Sequence, residues 1–119
     1  MIKTKIKICG IRTLHDALAA VDAGADMLGF NFYKKSVRYV DVGMCRSITS
    51  VLRTRTHARF VGVFVNASVA EIKATAGTCG LNLIQLHGDE TPEMLDAFNG
   101  KAFKAIRLSA SDHKFPRWL

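Results

Sequence analysis

Phe60-Val61-Gly62-Val63-Phe64-Val65 is a nearly unbroken apolar run. A run this short and this apolar is the mark of a strand buried on both faces in a parallel sheet. Asn66 and Ala67 follow, and then Ser68-Val69-Ala70-Glu71, an S-x-x-E capping box that predicts a helix ending near Gly80. Strand then helix is one βα unit. The same unit can be read on both sides of it.

Upstream, Lys5 to Cys9 alternates as Lys-Ile-Lys-Ile-Cys, the period-two pattern of a strand with two different faces. Ile6 and Ile8 point one way; Lys5, Lys7 and Cys9 point the other. Gly10 follows, and Thr13 reads as an N-cap with Asp16 three residues on. Leu14, Ala17, Leu18 and Val21 then recur at helical spacing until Gly24. Met27 to Phe32 is predicted as the second strand, followed by the cation-rich loop Tyr33-Lys34-Lys35-Ser36-Val37-Arg38. Asp41 can cap a second helix with Met44, Ile48, Val51 and Leu52 on its apolar face.

Downstream, Leu83 to His87 is the fourth strand. Thr91 and Pro92 open a fourth helix at the cap and first helical position, closed by Asn99-Gly100, and Ala102 to Leu108 is the fifth strand. The repeated strand-helix order predicts a parallel sheet with right-handed crossovers, in a single domain over residues 1–119. Ser109 to Leu119 does not continue the pattern, and Pro116 interrupts it.

The strand faces choose between an open sheet and a barrel. Ile6 and Ile8, Leu28 and Phe30, Val61, Val63 and Val65, and Ile84 and Leu86 suit a helix-covered side. The opposite side then offers Lys7 and Cys9, Gly29 and Asn31, Gly62 and Asn66, and Gln85 and His87. A doubly wound sheet covers both faces and tolerates such a polar row poorly. The fold class expected is therefore α/β, a partial TIM (β/α)8 barrel of about four βα units and a fifth strand; a whole barrel takes ~250 residues.

Composition bounds the function. Hydrophobic residues make up 49% and charged residues 23%, which excludes disorder. No apolar run approaches the ~20 residues of a membrane span, and no signal region precedes the first strand, so a membrane partner is not expected and the cytoplasm is. Three cysteines without a C-x-x-C pair and four histidines without ligand spacing argue against a disulfide framework or a metal centre. The net charge of +7 admits nucleic acid, an anionic membrane surface or an anionic small substrate. Its densest cluster, Arg53, Arg55, His57 and Arg59, falls where the second helix ends and reads as a complement to the helix dipole. No aromatic residues interleave with it, so a nucleic-acid partner is not expected.

Four motifs in register carry a resemblance: Lys7-Ile8-Cys9-Gly10; Gly29-Phe30-Asn31-Phe32-Tyr33 with Ser36 and Arg38-Tyr39; Val61-Gly62-Val63-Phe64-Val65-Asn66; and Gln85-Leu86-His87-Gly88. From about Lys5 to Leu108 the chain resembles phosphoribosylanthranilate isomerase, an enzyme of tryptophan biosynthesis, over the first four βα units and fifth strand of that barrel. The resemblance implies an Amadori rearrangement of N-(5-phosphoribosyl)anthranilate, a small phosphorylated substrate, with no cofactor.

It implies that Cys9 is the general base for the C2′ proton of the ring-opened Schiff base. A thiol does this only as thiolate, which a nearby cation favours; Lys7 is a candidate to supply one. Arg38 becomes the substrate-binding cation, its fork suited to the anthranilate carboxylate. Gln85 and His87 line the pocket, and Asn31 and Asn66 follow with less weight. Lys34 and Val37 depart from the prolines the family often has in that loop. The family's general acid, an aspartate on the sixth strand, has no counterpart before the tail; Asp112 comes too early. The phosphate loops of strands seven and eight have none either. The expectation is an N-terminal half-barrel, truncated or frameshifted near Ser109 and inactive alone, with a homo-oligomer or a complementing half-barrel as an alternative role.

Overall fold

A computed structural model describes residues 4–106. Five strands, β1 (Lys7–Ile8), β2 (Met27–Asn31), β3 (Arg59–Phe64), β4 (Leu83–Leu86) and β5 (Ala102–Lys104), alternate with α1 (Leu14–Asp22), α2 (Val42–Leu52), α3 (Val69–Cys79) and a 3-10 helix, Pro92–Phe98. The sheet is parallel throughout, in the order β1-β2-β3-β4-β5. Local chemistry starts each α-helix as expected. Thr13 Oγ1, Asp41 Oδ1 and Ser68 Oγ accept from the backbone N–H of Asp16 at 3.0 Å, Met44 at 2.7 Å and Glu71 at 3.1 Å. Gly80 closes α3 in the left-handed conformation at φ +65°. Among the described residues no helix is long and apolar enough to cross a membrane.

The helices cover one face of the sheet. Leu28, Phe30 and Phe60 pack with Ala17 and Ala20 of α1 and with Cys45, Ile48 and Leu52 of α2. Phe64, Ile84 and Leu86 pack with Ile72 of α3 and Phe98 of the 3-10 helix. One covered face and one polar face is the layering of a barrel wall rather than of a doubly wound sheet.

The third strand sits the other way round from the expectation. Register aligns Gly29 with Val61 and Leu83, and Asn31 with Val63, Gln85 and Phe103; partners in parallel register share a face. Val61 and Val63 therefore belong to the inner, polar face, and Phe60, Gly62 and Phe64 to the helix side. Apolar residues occupy both alternating sets, so period two carries no signal there, and bulk decides. Phe60 and Phe64 fill the layer under the helices, with Phe64 stacked on Phe32 at 5.2 Å. Gly62 makes room between them: a Cβ there would stand 2.5 Å from Leu81 Cδ1 and 2.8 Å from Phe64.

Other elements differ at their ends. The first strand, expected over Lys5–Cys9, pairs only at Lys7 and Ile8. On one side of that pair Ile6 N–H donates to the Asp26 carboxylate at 2.8 Å, and on the other Gly10 and Ile11 N–H converge on the Gly29 carbonyl. Ile6 and Ile8 face the helix side but are 51% and 40% exposed, since this edge strand has one sheet neighbour. The fourth helix takes the tighter 3-10 form. Thr91 makes no side-chain cap bond, and Phe98 is its one buried residue, with Met94, Leu95 and Ala97 partly buried against the same cluster. The fifth strand pairs over Ala102–Lys104. Residues 107 and 108 of the expected strand, and the stretch 109–119 with Asp112, lie outside the described residues.

A buried carboxylate ties the C-terminal ends of three strands together. Glu90 accepts from Asn66 N–H after β3 and Gly88 N–H after β4, each at 2.8 Å, and from Lys104 Nζ on β5 at 2.9 Å. Lys104 also donates to the Gly88 carbonyl. The side chains of Glu90 and Lys104 are 2% and 8% exposed. Burial pushes the Glu90 carboxyl up, but Lys104 and the backbone donors outweigh it and hold the group below the usual carboxylate range.

Two outcomes follow. Gly62→Val should destabilise the chain by about 1–3 kcal/mol through overpacking, read from the urea midpoint; no loss would return Gly62 to the roomier inner face. Glu90→Gln should cost about 3–5 kcal/mol at pH 7, because the buried Lys104 ammonium loses its carboxylate. The folded carboxyl is depressed, so its contribution is present above the unfolded value of about 4.3 and is lost as pH falls through the lower folded value. The stability gap between the two proteins should therefore close in acid, and a gap independent of pH would contradict the pairing.

Candidate functional site

Cys9 stands at the C-terminal end of β1, exposed on the inner face. Gly29 on the neighbouring strand makes that placement work. A Cβ at Gly29 would lie 3.0 Å from Lys7 Cε and 3.1 Å from Cys9 Sγ, so both side chains lean over the same bare stretch of β2. Lys7 continues across the inner face and its ammonium donates to Gln85 Oε1 on β4. The cation considered as a companion for Cys9 is thus hydrogen-bonded to Gln85, a residue only 8% exposed, while its stem remains beside the thiol.

Arg38 arrives from the β2–α2 loop. Its stem lies across Gly10, where a Cβ would stand 2.7 Å from Arg38 Cδ; Gly10 is also left-handed, at φ +85°. The glycine after Cys9 therefore serves as the seat for the arginine. Asn31 and Ser36 shape the loop that delivers it. Asn31 Oδ1 accepts from Tyr33 N–H at 2.8 Å, Asn31 Nδ2 donates to Ser36 Oγ at 3.5 Å, and Ser36 Oγ accepts from Arg38 N–H at 3.1 Å. Asn31, expected as a lining residue, thus organises the loop as well. Lys34, Lys35 and Val37 are exposed.

Beside these groups lies a cleft of about 600 Å³ at the C-terminal ends of β2 to β5, lined by Asn31, Tyr33, Val63, His87, Asp89 and Lys104 among others. Of the residues expected in the site, Asn31, Asn66 and His87 line this cleft. Cys9, Lys7, Arg38 and Gln85 form a second group on the β1 side of the same face. Glu90 and Lys104, which hold the cleft's far wall, went unseen in the sequence; the only hint is an acidic pair, Asp89-Glu90, directly after a strand.

The two remaining cysteines are structural. Cys45 and Cys79 are buried between α2 and α3, burial pushes both thiols up, and Cys79 Sγ lies 3.5 Å from the Val42 carbonyl. Among the described residues no three His, Cys, Asp or Glu side chains converge as metal ligands. What the inner face offers is an accessible thiol, two flanking cations and a polar cleft. Such a set can move a proton beside an anionic small molecule.

Comparison with known proteins fits this arrangement. A family model described as N-(5'-phosphoribosyl)anthranilate (PRA) isomerase matches residues 6–115. The N-(5'-phosphoribosyl)anthranilate isomerase of Citrifermentans bemidjiense is 46% identical over 109 residues, covering 92% of this chain and 52% of the relative. The phosphoribosyl anthranilate isomerase structure from Thermotoga maritima superposes with a TM-score of 0.84 at 39% identity, over 90% of this chain and 52% of that one. The structure from Thermus thermophilus gives 0.85 at 33% identity, over 97% and 56%. The chain spans about half the length of these relatives, and its sheet is a partial (β/α)8 barrel. With the family pattern running through nearly all of its sequence, the chain belongs to the N-(5'-phosphoribosyl)anthranilate isomerase family.

Proposed function

We propose that this chain supplies the base side of a phosphoribosylanthranilate isomerase site of tryptophan biosynthesis. The observation that carries the reading is the meeting of Cys9, Lys7 and Arg38 over Gly29 and Gly10, at the C-terminal end of a parallel sheet. That end is where barrel enzymes hold their chemistry. The family match across residues 6–115 supports the same reading, as does a relative solved with reduced 1-(o-carboxyphenylamino)-1-deoxyribulose 5-phosphate.

In this reading the substrate has opened to the protonated Schiff base at C1′. The Cys9 thiolate takes the C2′ proton; the C–H electron pair forms the C1′=C2′ bond, and the C=N π pair returns to nitrogen. The neutral enolamine then loses its hydroxyl proton at C2′ and gains one at C1′, which gives the aminoketose. Atoms and electrons balance without an external reagent. Arg38 holds the anthranilate carboxylate, while Lys7, Gln85, His87 and Asn31 line the bound substrate. No described residue is assigned as the general acid or the phosphate anchor, so this reading makes the chain an incomplete enzyme. Loss of one acid–base partner alone forfeits ~10²–10⁴-fold in rate.

A second reading rests on the sheet edges. The outer sides of β1 and β5 have no strand partner among the described residues, and Ile6, Ile8 and Phe103 stand exposed beside them. Unpaired edges with apolar flanks template pairing with another chain, so the half-barrel would associate with itself or with a complementing half.

Purified chain should turn over phosphoribosylanthranilate, generated in situ and followed by fluorescence loss, at a negligible rate. Any residual rate should fall to background in Cys9→Ala. Turnover near that of a full-length relative would overturn the incomplete-site reading, and residual turnover insensitive to Cys9→Ala would remove Cys9 from the base role. Size-exclusion chromatography across a hundredfold range of protein concentration should give a species larger than a monomer; a monomer throughout would dispose of self-association.

A further inference from the structure

At the opposite end of the sheet from Cys9, a cleft of about 340 Å³ opens between the end of α2 and the starts of β3 and β4. It is lined by Arg53, Thr56, His57, Arg59, Gly80 and Asn82, with Ala58 and Phe60 as its apolar part, and no carboxylate among the described residues lines it. We propose that this cleft binds a phosphate group.

Arg53 is held by its side chain, and the backbone that carries His57 and Arg59 is fixed. The Arg53 guanidinium lies over Gly80, where a Cβ would stand 2.0 Å from its Nη2, and Nη2 donates to the Cys79 carbonyl at 3.4 Å. Arg53 therefore caps the end of α3, not the helix it follows in sequence, and one engaged nitrogen leaves the rest of its fork of five N–H donors. Asn82 Oδ1 accepts from Phe60 N–H at 2.7 Å, which leaves the amide's donor end for the cleft. Thr56 Oγ1 accepts from Ala58 N–H at 3.0 Å and fixes the turn that carries His57. Arg59 is anchored by its backbone N–H to the Asp26 carbonyl at 2.9 Å. The Asp26 carboxylate is turned to Ile6 N–H. Among the described residues neither Arg53 nor Arg59 is paired with a carboxylate.

Two arginines, a histidine and the donor end of an asparagine lining one small cleft are the residue types that recognise a tetrahedral oxyanion, bidentately where arginine is concerned. The volume lies at the small end of ligand sites, which suits a phosphomonoester or a single backbone phosphate. The dipole complement expected at the end of α2 is not the part Arg53 plays, since its guanidinium sits at the end of α3.

The test is an NMR titration of the ¹⁵N-labelled chain with inorganic phosphate, at ionic strength held constant with sodium chloride. Backbone amides of Phe60, Gly80 and Asn82 should shift saturably. Arg59→Gln should weaken the fitted Kd about tenfold or more, as expected for a charge-assisted contact. Arg59→Lys should recover part of it, and His57→Ala gives an independent second variant. Arg53 is left in place because it caps α3. The proposal is overturned if these amides do not saturate, if shifts appear only near Gly88, or if Arg59→Gln and His57→Ala, with otherwise unchanged spectra, bind as the parent does. Parallel titrations with glycerol 3-phosphate and a uridine decanucleotide identify the source of the group. Tighter binding of the decanucleotide with a steep salt dependence would assign it to a nucleic-acid backbone; equal or weaker binding would assign it to a small phosphate ester.

Discussion

The carboxylate of Glu90 gathers what the parallel sheet leaves loose. Parallel strands end in loops that leave their N–H groups without ladder partners, and here two of those groups, on Asn66 and Gly88, point at one side chain. Lys104 completes the cage from the next strand. Because the pair is almost dry, removing one member takes the counter-charge from a group that water barely reaches. The far wall of the larger cleft is therefore held as one unit, with β3, β4 and β5 sharing a single anchor. Asn66 pays into the same anchor with a left-handed backbone at φ +54° and its side-chain oxygen on Asp89 N–H.

On the other side of the cleft, missing side chains do the corresponding job. Gly29 gives Cys9 and Lys7 a bare strand to lie on, and Gly10 gives Arg38 a seat against the turn that follows the thiol. Neither contact is a strong interaction in itself. Each is an exclusion of atoms that would push a functional group away, so the site depends on what these positions lack as much as on what the others carry. The hydrogen bond from Lys7 to Gln85 then links this side to β4.

How much of this was legible in the sequence follows from range. Caps act over three residues, so Thr13, Asp41 and Ser68 were readable at sight and behave as read. Element order, the covered face and the resemblance carried by Lys7-Ile8-Cys9-Gly10 and Gln85-Leu86-His87-Gly88 were readable for the same reason. The orientation of Phe60–Val65 was not, because both alternating sets are apolar and only packing against Leu81 and Phe32 breaks the tie. The Glu90 anchor was invisible because two of its three partners, Asn66 and Lys104, lie 24 and 14 residues away. The fourth helix misled because Thr91-Pro92 is a good start signal that does not distinguish α from 3-10 pitch.

The sheet order has one further consequence. Among the described residues every strand after β1 pairs with its immediate predecessor in the chain, and no later strand inserts between earlier ones. Each closure spans one helix and two loops, so the entropy of ring closure is about the same at every step and never that of the whole chain. A polypeptide leaving the ribosome can therefore lay down its sheet vectorially, one strand per crossover, each new strand docking on an edge already built. Growth proceeds at a single moving edge, and the register set early is the template that every later strand inherits.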